Sequence, residues 1–146
     1  PLPCRFELIQ SNPTIVLDGA HSPAKIEATV HRIKDLFGSA HVIYGSVATK
    51  DNKRMIDALV PISKSITTTR FQTPFRKTSN PAPLETMVPA SKRGGSFLDY
   101  NDALAHVKKI AKKNEAIVVT GSLYLAGEMR KLWISEDDIV KNRSSL

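Results

Sequence analysis

Two kinds of apolar pattern alternate along the chain: short runs rich in β-branched residues, and longer stretches where apolar residues recur every three or four positions. The first reads as strand and the second as amphipathic helix, since side chains repeat every two residues on a strand and every 3.6 on a helix. Residues 5–10 and 14–17 read as two strands joined through the turn residues Ser11, Asn12 and Pro13, which suits a hairpin. Ser22 and Pro23 then supply a helix N-cap followed by proline at the first helical position. Ile26, Val30, Ile33 and Phe37 keep one face of that helix apolar, and Gly38 is placed to end it.

The alternation continues with a strand over 41–44, a helix over 52–60 carrying Met55, Ile56 and Leu59, and a strand over 65–69. Residues 70–82 are irregular and basic and read as a long surface loop. A short helix over 83–90, limited by Pro89, and a short strand over 96–98 follow. Asn101 is expected to cap a helix with Leu104, Val107, Ile110 and Ala111 on one face. Residues 116–120 form a continuous apolar strand, Gly121-Ser122 a tight turn, and 123–133 a final helix, after which 134–146 is a polar tail leaving the core. Strands alternating with helices argue for parallel βαβ units. The expected fold is α/β: a mostly parallel, Rossmann-like sheet with one antiparallel edge strand and helices on both faces.

At 146 residues the chain is one ordinary domain, and no run of about 18 apolar residues offers a membrane span. The opening Pro1-Leu2-Pro3-Cys4-Arg5 lacks a signal-peptide core and reads as a cut at a domain boundary. The lone Cys4 cannot form an internal disulfide, which fits a reducing, cytoplasmic compartment. A net charge of +7 and a pI near 9.7 attract anions without choosing among them. The doublets Lys108-Lys109 and Lys112-Lys113 fall on the polar side of a predicted helix and read as a solvated face. Aromatics make up only 6% and are not interleaved with the basic residues, so a nucleic-acid-binding module is the weaker alternative and no nucleic-acid partner is expected.

In an open α/β sheet, ligands bind beyond the carboxyl ends of the strands. Three stretches fall there: 18–23, 46–53 and 120–124. Asp18 can accept two hydroxyl hydrogen bonds, as from a ribose, or cap a turn. His21 stands beside a helix N-terminus, where exposed N–H groups favour anions, although a lone histidine also serves as a packed or exposed side chain. No second His or Cys sits at ligand spacing, which argues against a zinc site. Gly121-Ser122 lacks the flanks of a hydrolase elbow, and neither a P-loop nor a Gly-x-Gly-x-x-Gly follows a strand. A self-sufficient nucleotide hydrolase and a dinucleotide-binding domain are therefore not expected.

Pro3-Cys4-Arg5-Phe6-Glu7, followed by Leu17-Asp18-Gly19-Ala20-His21-Ser22-Pro23 with Asp18 thirteen residues after Arg5, is similar to the Pro-Gly-Arg-Phe-Glu and Asp-Gly-Ala-His-Asn-Pro signatures of folylpolyglutamate synthases. Ala48-Thr49-Lys50-Asp51 looks like that family's Lys-Asp segment, and the block from Val118 through Gly121-Ser122-Leu123-Tyr124 to Glu128 resembles its Val-Thr-Gly-Ser-Leu-Tyr block. The likeness runs from residue 3 to about 133. Cys4 replaces the usual glycine and Ser22 the usual asparagine, while the stretch around Arg76 matches loosely.

The resemblance implies the C-terminal domain of a folylpolyglutamate synthase/dihydrofolate synthase of the Mur ligase superfamily, occupying 5–133, with 1–4 the remnant of an interdomain hinge. By carry-over, Arg5 approaches the ATP phosphates and Asp18 holds the ribose, while His21, Lys50 and Ser122, with Ser22 nearby, line the site for glutamate. The implied reaction activates a pteroate or folate carboxylate as an acyl phosphate, which the amine of L-glutamate attacks. The implied partner is an N-terminal P-loop ligase domain of the same polypeptide, holding Mg2+ and supplying the catalytic residues. This chain alone is then an inactive monomer. The nearest rival is the corresponding domain of a cell-wall Mur ligase; the Arg-Phe-Glu start and Gly-Ser-Leu-Tyr block favour the folate branch.

Overall fold

The computed structural model describes residues 2–72, 78 and 80–135. Pro1, the region around Arg76, and residues 136–146 of the expected tail lie outside the described residues. Six strands form one sheet: β1 (Glu7–Gln10), β2 (Ile15–Leu17), β3 (Ala40–Tyr44), β4 (Ser63–Thr69), β5 (Arg93–Phe97) and β6 (Ala116–Thr120), in the spatial order β1-β2-β6-β3-β4-β5. β1 pairs antiparallel with β2 at one edge, and every other pairing is parallel. The expected mixed sheet is borne out.

The helices are α1 (Pro23–Phe37), α2 (Asn52–Leu59), α3 (Pro81–Thr86), α4 (Tyr100–Ile110) and α5 (Leu123–Arg130). Ser22 caps α1 by accepting from the Lys25 amide, and Gly38 ends it with a positive φ of 77°. Ile26 and Ile33 of α1, Met55, Ile56 and Leu59 of α2, and Leu84 of α3 pack with Val16, Val42 and Val118 on one face of the sheet. Leu104 and Val107 of α4 and Leu125 and Met129 of α5 pack with Leu17, Ile43, Ile117 and Val119 on the other. Fully burying each such side chain contributes about 1.5–3 kcal/mol, and the alternation along β6 divides its residues between the two cores.

Several boundaries differ from the sequence reading. Asp99, not Asn101, caps α4, accepting from the Asn101 amide; Ala111 lies beyond the helix and Ile110 is 41% exposed. β5 spans five residues where three were expected, because Gly94-Gly95 masks the strand pattern; a Cβ on Gly94 would lie 2.3 Å from Thr67 Oγ1. α3 starts at Pro81 behind an Asn80 cap and stops at Thr86. The last helix ends at Arg130 and continues only as turns to Trp133. Phe71, inside the expected surface loop, is fully buried and stacks on Tyr124.

The helices following β2 and β3 cover one face of the sheet, while the helix following β6, the strand between them, covers the other. The chain thus leaves neighbouring strand ends in opposite directions, and a crevice opens at the carboxyl end of β6.

Candidate functional site

Backbone hydrogen bonds lace the loops around that crevice. The Asp18 amide donates to Val119 O at 2.9 Å, Gly45 N to Thr120 O at 3.3 Å, Gly121 N to Ala20 O at 3.1 Å and Gly19 N to Cys4 O at 2.7 Å. Gly121 sits at φ 108°, and a Cβ there would lie 2.5 Å from Gly45 O. Only glycine suits that position.

Asp18 is the knot. Its Oδ2 accepts from Thr29 Oγ1 at 2.7 Å, Thr120 Oγ1 at 3.0 Å and the Ala20 amide at 3.3 Å. Its Oδ1 accepts from the Phe6 amide at 3.3 Å. At 8% exposure the side chain joins β2, α1, β6 and the segment before β1.

That segment holds an unusual backbone. Cys4 and Phe6 both adopt left-handed φ values, 57° and 48°, on either side of Arg5. Each costs a non-glycine residue about 1–2 kcal/mol, which explains why a glycine would be at home at position 4. Packing holds the conformation. Cys4 is buried, its amide donates to Glu7 Oε1 at 3.1 Å, and the Phe6 ring stacks near Phe37 with the Arg32 guanidinium 4.5 Å above it. Arg130 grips Glu7 bidentately, Nε to Oε1 at 2.9 Å and Nη2 to Oε2 at 3.2 Å, tying the segment to α5. Burial works to raise the Glu7 carboxyl, but the bonds from Arg130 and the Cys4 amide outweigh it and hold the group below its ordinary value. Burial, with Glu7 adding to it, pushes the Cys4 thiol up, so it remains a protonated packing group.

Two cavities meet at the crevice. The first, about 400 Å³, is walled by Arg5, Asp18, His21, Lys25, Thr29, Arg32 and Leu123, among others. Three permanent cations face one carboxylate whose oxygens already serve four donors, a balance that suits an anion. The second, about 270 Å³, is walled by His21, Ser46, Val47, Lys50, Gly121, Ser122, Leu123 and Tyr124. Its one permanent cation is Lys50, which makes no ion pair among the described residues. Ser122 Oγ accepts from the Tyr124 amide at 3.1 Å as the cap of α5, leaving its proton for an acceptor. His21 stands between the cavities; its Nδ1 donates to Gly19 O at 2.9 Å, which leaves Nε2 for a ligand. Leu123, 54% exposed, is the other shared wall.

The structure therefore brings Arg5, Asp18 and His21 to one cavity and His21, Lys50 and Ser122 to its neighbour. Ser22 lines neither, and its hydroxyl is engaged as the α1 cap. The sequence reading did not include Lys25 and Arg32, which with Ala28 keep helical spacing on a face of α1 roughly 100° round from Ile26 and Ile33. Among the described residues no group of three or more His, Cys, Asp or Glu side chains could hold a metal ion, and no helix is long and apolar enough to cross a membrane.

Fold and site together define a mixed α/β domain with an anion-suited double cavity at the carboxyl end of its sheet. Comparison with known proteins sharpens that. The family model for the Mur ligase glutamate ligase domain matches residues 4–123, and the chain belongs to that family. It is 35% identical over 130 residues to a folylpolyglutamate synthase of Lacticaseibacillus casei, covering 88% of this chain and 29% of that protein. It is 31% identical over 138 residues to a probable bifunctional folylpolyglutamate synthase/dihydropteroate synthase of Haloferax volcanii, covering 90% of this chain and 16% of the relative. The chain thus spans less than a third of the curated relatives it matches. Among solved structures, Mycobacterium tuberculosis folylpolyglutamate synthase complexed with ADP superposes with a TM-score of 0.83 at 23% identity, covering 91% of this chain and 32% of that one. A bifunctional folylpolyglutamate synthase/dihydrofolate synthase with Mn, AMPPNP and L-glutamate bound gives 0.77 at 21% identity, covering 90% and 32%. At those identities the likeness is one of fold.

Proposed function

We propose that this chain is the C-terminal domain of a cytoplasmic ATP-dependent ligase that joins L-glutamate to dihydropteroate or a folate, with nucleotide in the first cavity and glutamate in the second. The observation that carries the reading is the shared wall: His21 faces both cavities, one rich in cations and the other holding Lys50, which makes no ion pair among the described residues. The curated relatives named as folylpolyglutamate synthases, and the neighbours solved with ADP and with L-glutamate, support the same assignment.

In this reading a carboxylate oxygen of the pterin substrate takes the γ-phosphoryl group of ATP, breaking the bond to ADP. The glutamate amine then attacks the acyl carbon, loses a proton, and expels phosphate. Arg5, Lys25 and Arg32 neutralise phosphate charge, Arg5 being a planar guanidinium able to grip two oxygens. Asp18 Oδ1, which among the described residues accepts only from the Phe6 amide at 3.3 Å, is the oxygen offered to a ribose hydroxyl. Lys50 and the Ser122 hydroxyl bind a glutamate carboxylate, and His21 Nε2 holds the boundary where amine and acyl phosphate meet. The domain's contribution is positioning and charge neutralisation. In this reading a neighbouring P-loop domain of the same polypeptide holds the divalent metal.

The test is a ligand panel on the full-length enzyme, following ADP release with L-glutamate and either dihydropteroate, a folate, or a UDP-muramyl acceptor. Turnover with a pteroate or folate is expected. Turnover only with the muramyl acceptor would transfer the assignment to the cell-wall branch.

A further inference from the structure

Tyr44 is fully buried at the end of β3, beneath the second cavity, and nothing in the reaction above uses its phenol. The hydroxyl donates to Asn52 Oδ1 at 2.6 Å. Asn52 Nδ2 donates to Val47 O at 3.3 Å, the same oxygen that accepts from the Lys50 amide at 3.2 Å, and the Asn52 amide donates to Lys50 O at 2.9 Å. The phenol–amide contact thus ties the loop that carries Lys50 to the core, beside the buried Val47 side chain and its bridge to Thr78. The Tyr44 ring also supports the opposite wall: a Cβ on Gly121 would lie 2.8 Å from Tyr44 Cε2, so the ring edge sets the height of the turn bearing Ser122. Burial raises the phenol well above its ordinary range, which keeps it a donor at every working pH. Ser46, on the same loop and 1% exposed, lies near enough to the phenol to offset part of that rise, but its Oγ forms no hydrogen bond of good geometry. Asn52, not Ser46, is thus the partner through which the phenol reaches the Lys50 loop.

We propose that Tyr44, acting through Asn52, is the positioning residue of the second cavity, fixing Lys50 and Ser122 at the spacing a carboxylate of the incoming amino acid requires without itself touching that ligand. The proposal rests on the glutamate reading of that cavity. A preorganised Lys50 binds glutamate equally in ground and transition states, so its loosening appears in KM and spares kcat.

The experiment is steady-state kinetics on the full-length ligase with Tyr44→Phe, Asn52→Asp, Lys50→Ala and, as a control, Ser63→Ala. Ser63 is buried at the far end of β4, where its hydroxyl donates to Leu59 O at 2.7 Å, so its loss removes a comparable buried bond away from the cavity. Tyr44→Phe is expected to raise the KM for glutamate about tenfold, leaving the KM for ATP and kcat within about twofold. Asn52→Asp retains the acceptor for the phenol but loses the bond to Val47 O, and moves the same constant in the same direction. Ser63→Ala lowers the melting temperature without moving either KM. If Lys50→Ala raises the glutamate KM while Tyr44→Phe and Asn52→Asp do not, or if Ser63→Ala raises it as much as they do, the positioning role is overturned and the cavity assignment stands. If Lys50→Ala leaves that constant unchanged, the cavity assignment fails and takes the proposal with it.

Discussion

Replacing Asp18 with asparagine separates what its carboxylate does for the fold from what it does for a nucleotide. With the amide oxygen in place of Oδ2, the bonds from Thr29, Thr120 and Ala20 persist but become neutral, forfeiting about 1 kcal/mol of charge assistance. The amide nitrogen in place of Oδ1 then meets the Phe6 N–H, donor against donor, which costs about 1–3 kcal/mol at a buried site. The sum is about 2–4 kcal/mol. For a domain of this size about 3 kcal/mol lowers Tm by roughly 6–12 °C. Thermal unfolding followed by circular dichroism measures this on the chain itself. A double-mutant cycle with Thr29→Val is expected to show a coupling of at least about 1 kcal/mol, since both changes strike one bond. A Tm shift under about 2 °C, or strict additivity in the cycle, would refute the knot.

Arg130→Ala strips Glu7 of its bidentate partner and is expected to cost about 2–3 kcal/mol in urea unfolding, with a higher KM for ATP as the Arg5 segment loosens. The Glu7 carboxyl is held below its ordinary value, so that pair's contribution is full above the usual glutamate range and fades as pH falls beneath it. Glu115 behaves in the same sense. The Lys112 amide, His41 and Lys64 lower it to about 2, so its stabilisation is complete above its ordinary pKa and is lost as pH falls through about 2. Urea midpoints measured across that range should decline less steeply for Glu115→Gln than for the parent. Gly121→Ala forces a Cβ against Gly45 O at a left-handed φ and is expected to destabilise by about 3 kcal/mol or more, read as a collapse in Tm or soluble yield.

The parts of this molecule legible in its sequence are those governed by local chemistry. Ser22, Pro23 and Gly38 bracket α1 because capping needs only neighbours within four residues, and residues 116–120 announce a strand buried on both faces by unbroken apolar character. Where local signals compete, sequence alone does not decide: Asp99 and Asn101 are both good caps, and Asp99 is the one used. The site divides the same way. Arg5, Asp18, His21, Lys50 and Ser122 were legible from motif likeness and from their position at strand ends. The engagement of Asp18 was not, because Thr120 lies 102 residues away and no local pattern encodes that bond. Ser22 was read as a ligand neighbour although the capping rule already accounts for its hydroxyl. Lys25 and Arg32 carry no local motif and read as ordinary solvated cations on a helix surface until the fold brings Arg5 and Asp18 beside them.

The central claim is that two ligands occupy adjoining cavities that share one histidine. Substrate KM values for Arg5→Ala, Lys50→Ala and His21→Ala in the full-length ligase test it most directly. The account predicts that Arg5→Ala raises the KM for ATP alone, Lys50→Ala that for glutamate alone, and His21→Ala both. Equal movement of both constants in the Arg5 and Lys50 variants, or a His21→Ala enzyme with neither constant changed, would contradict it.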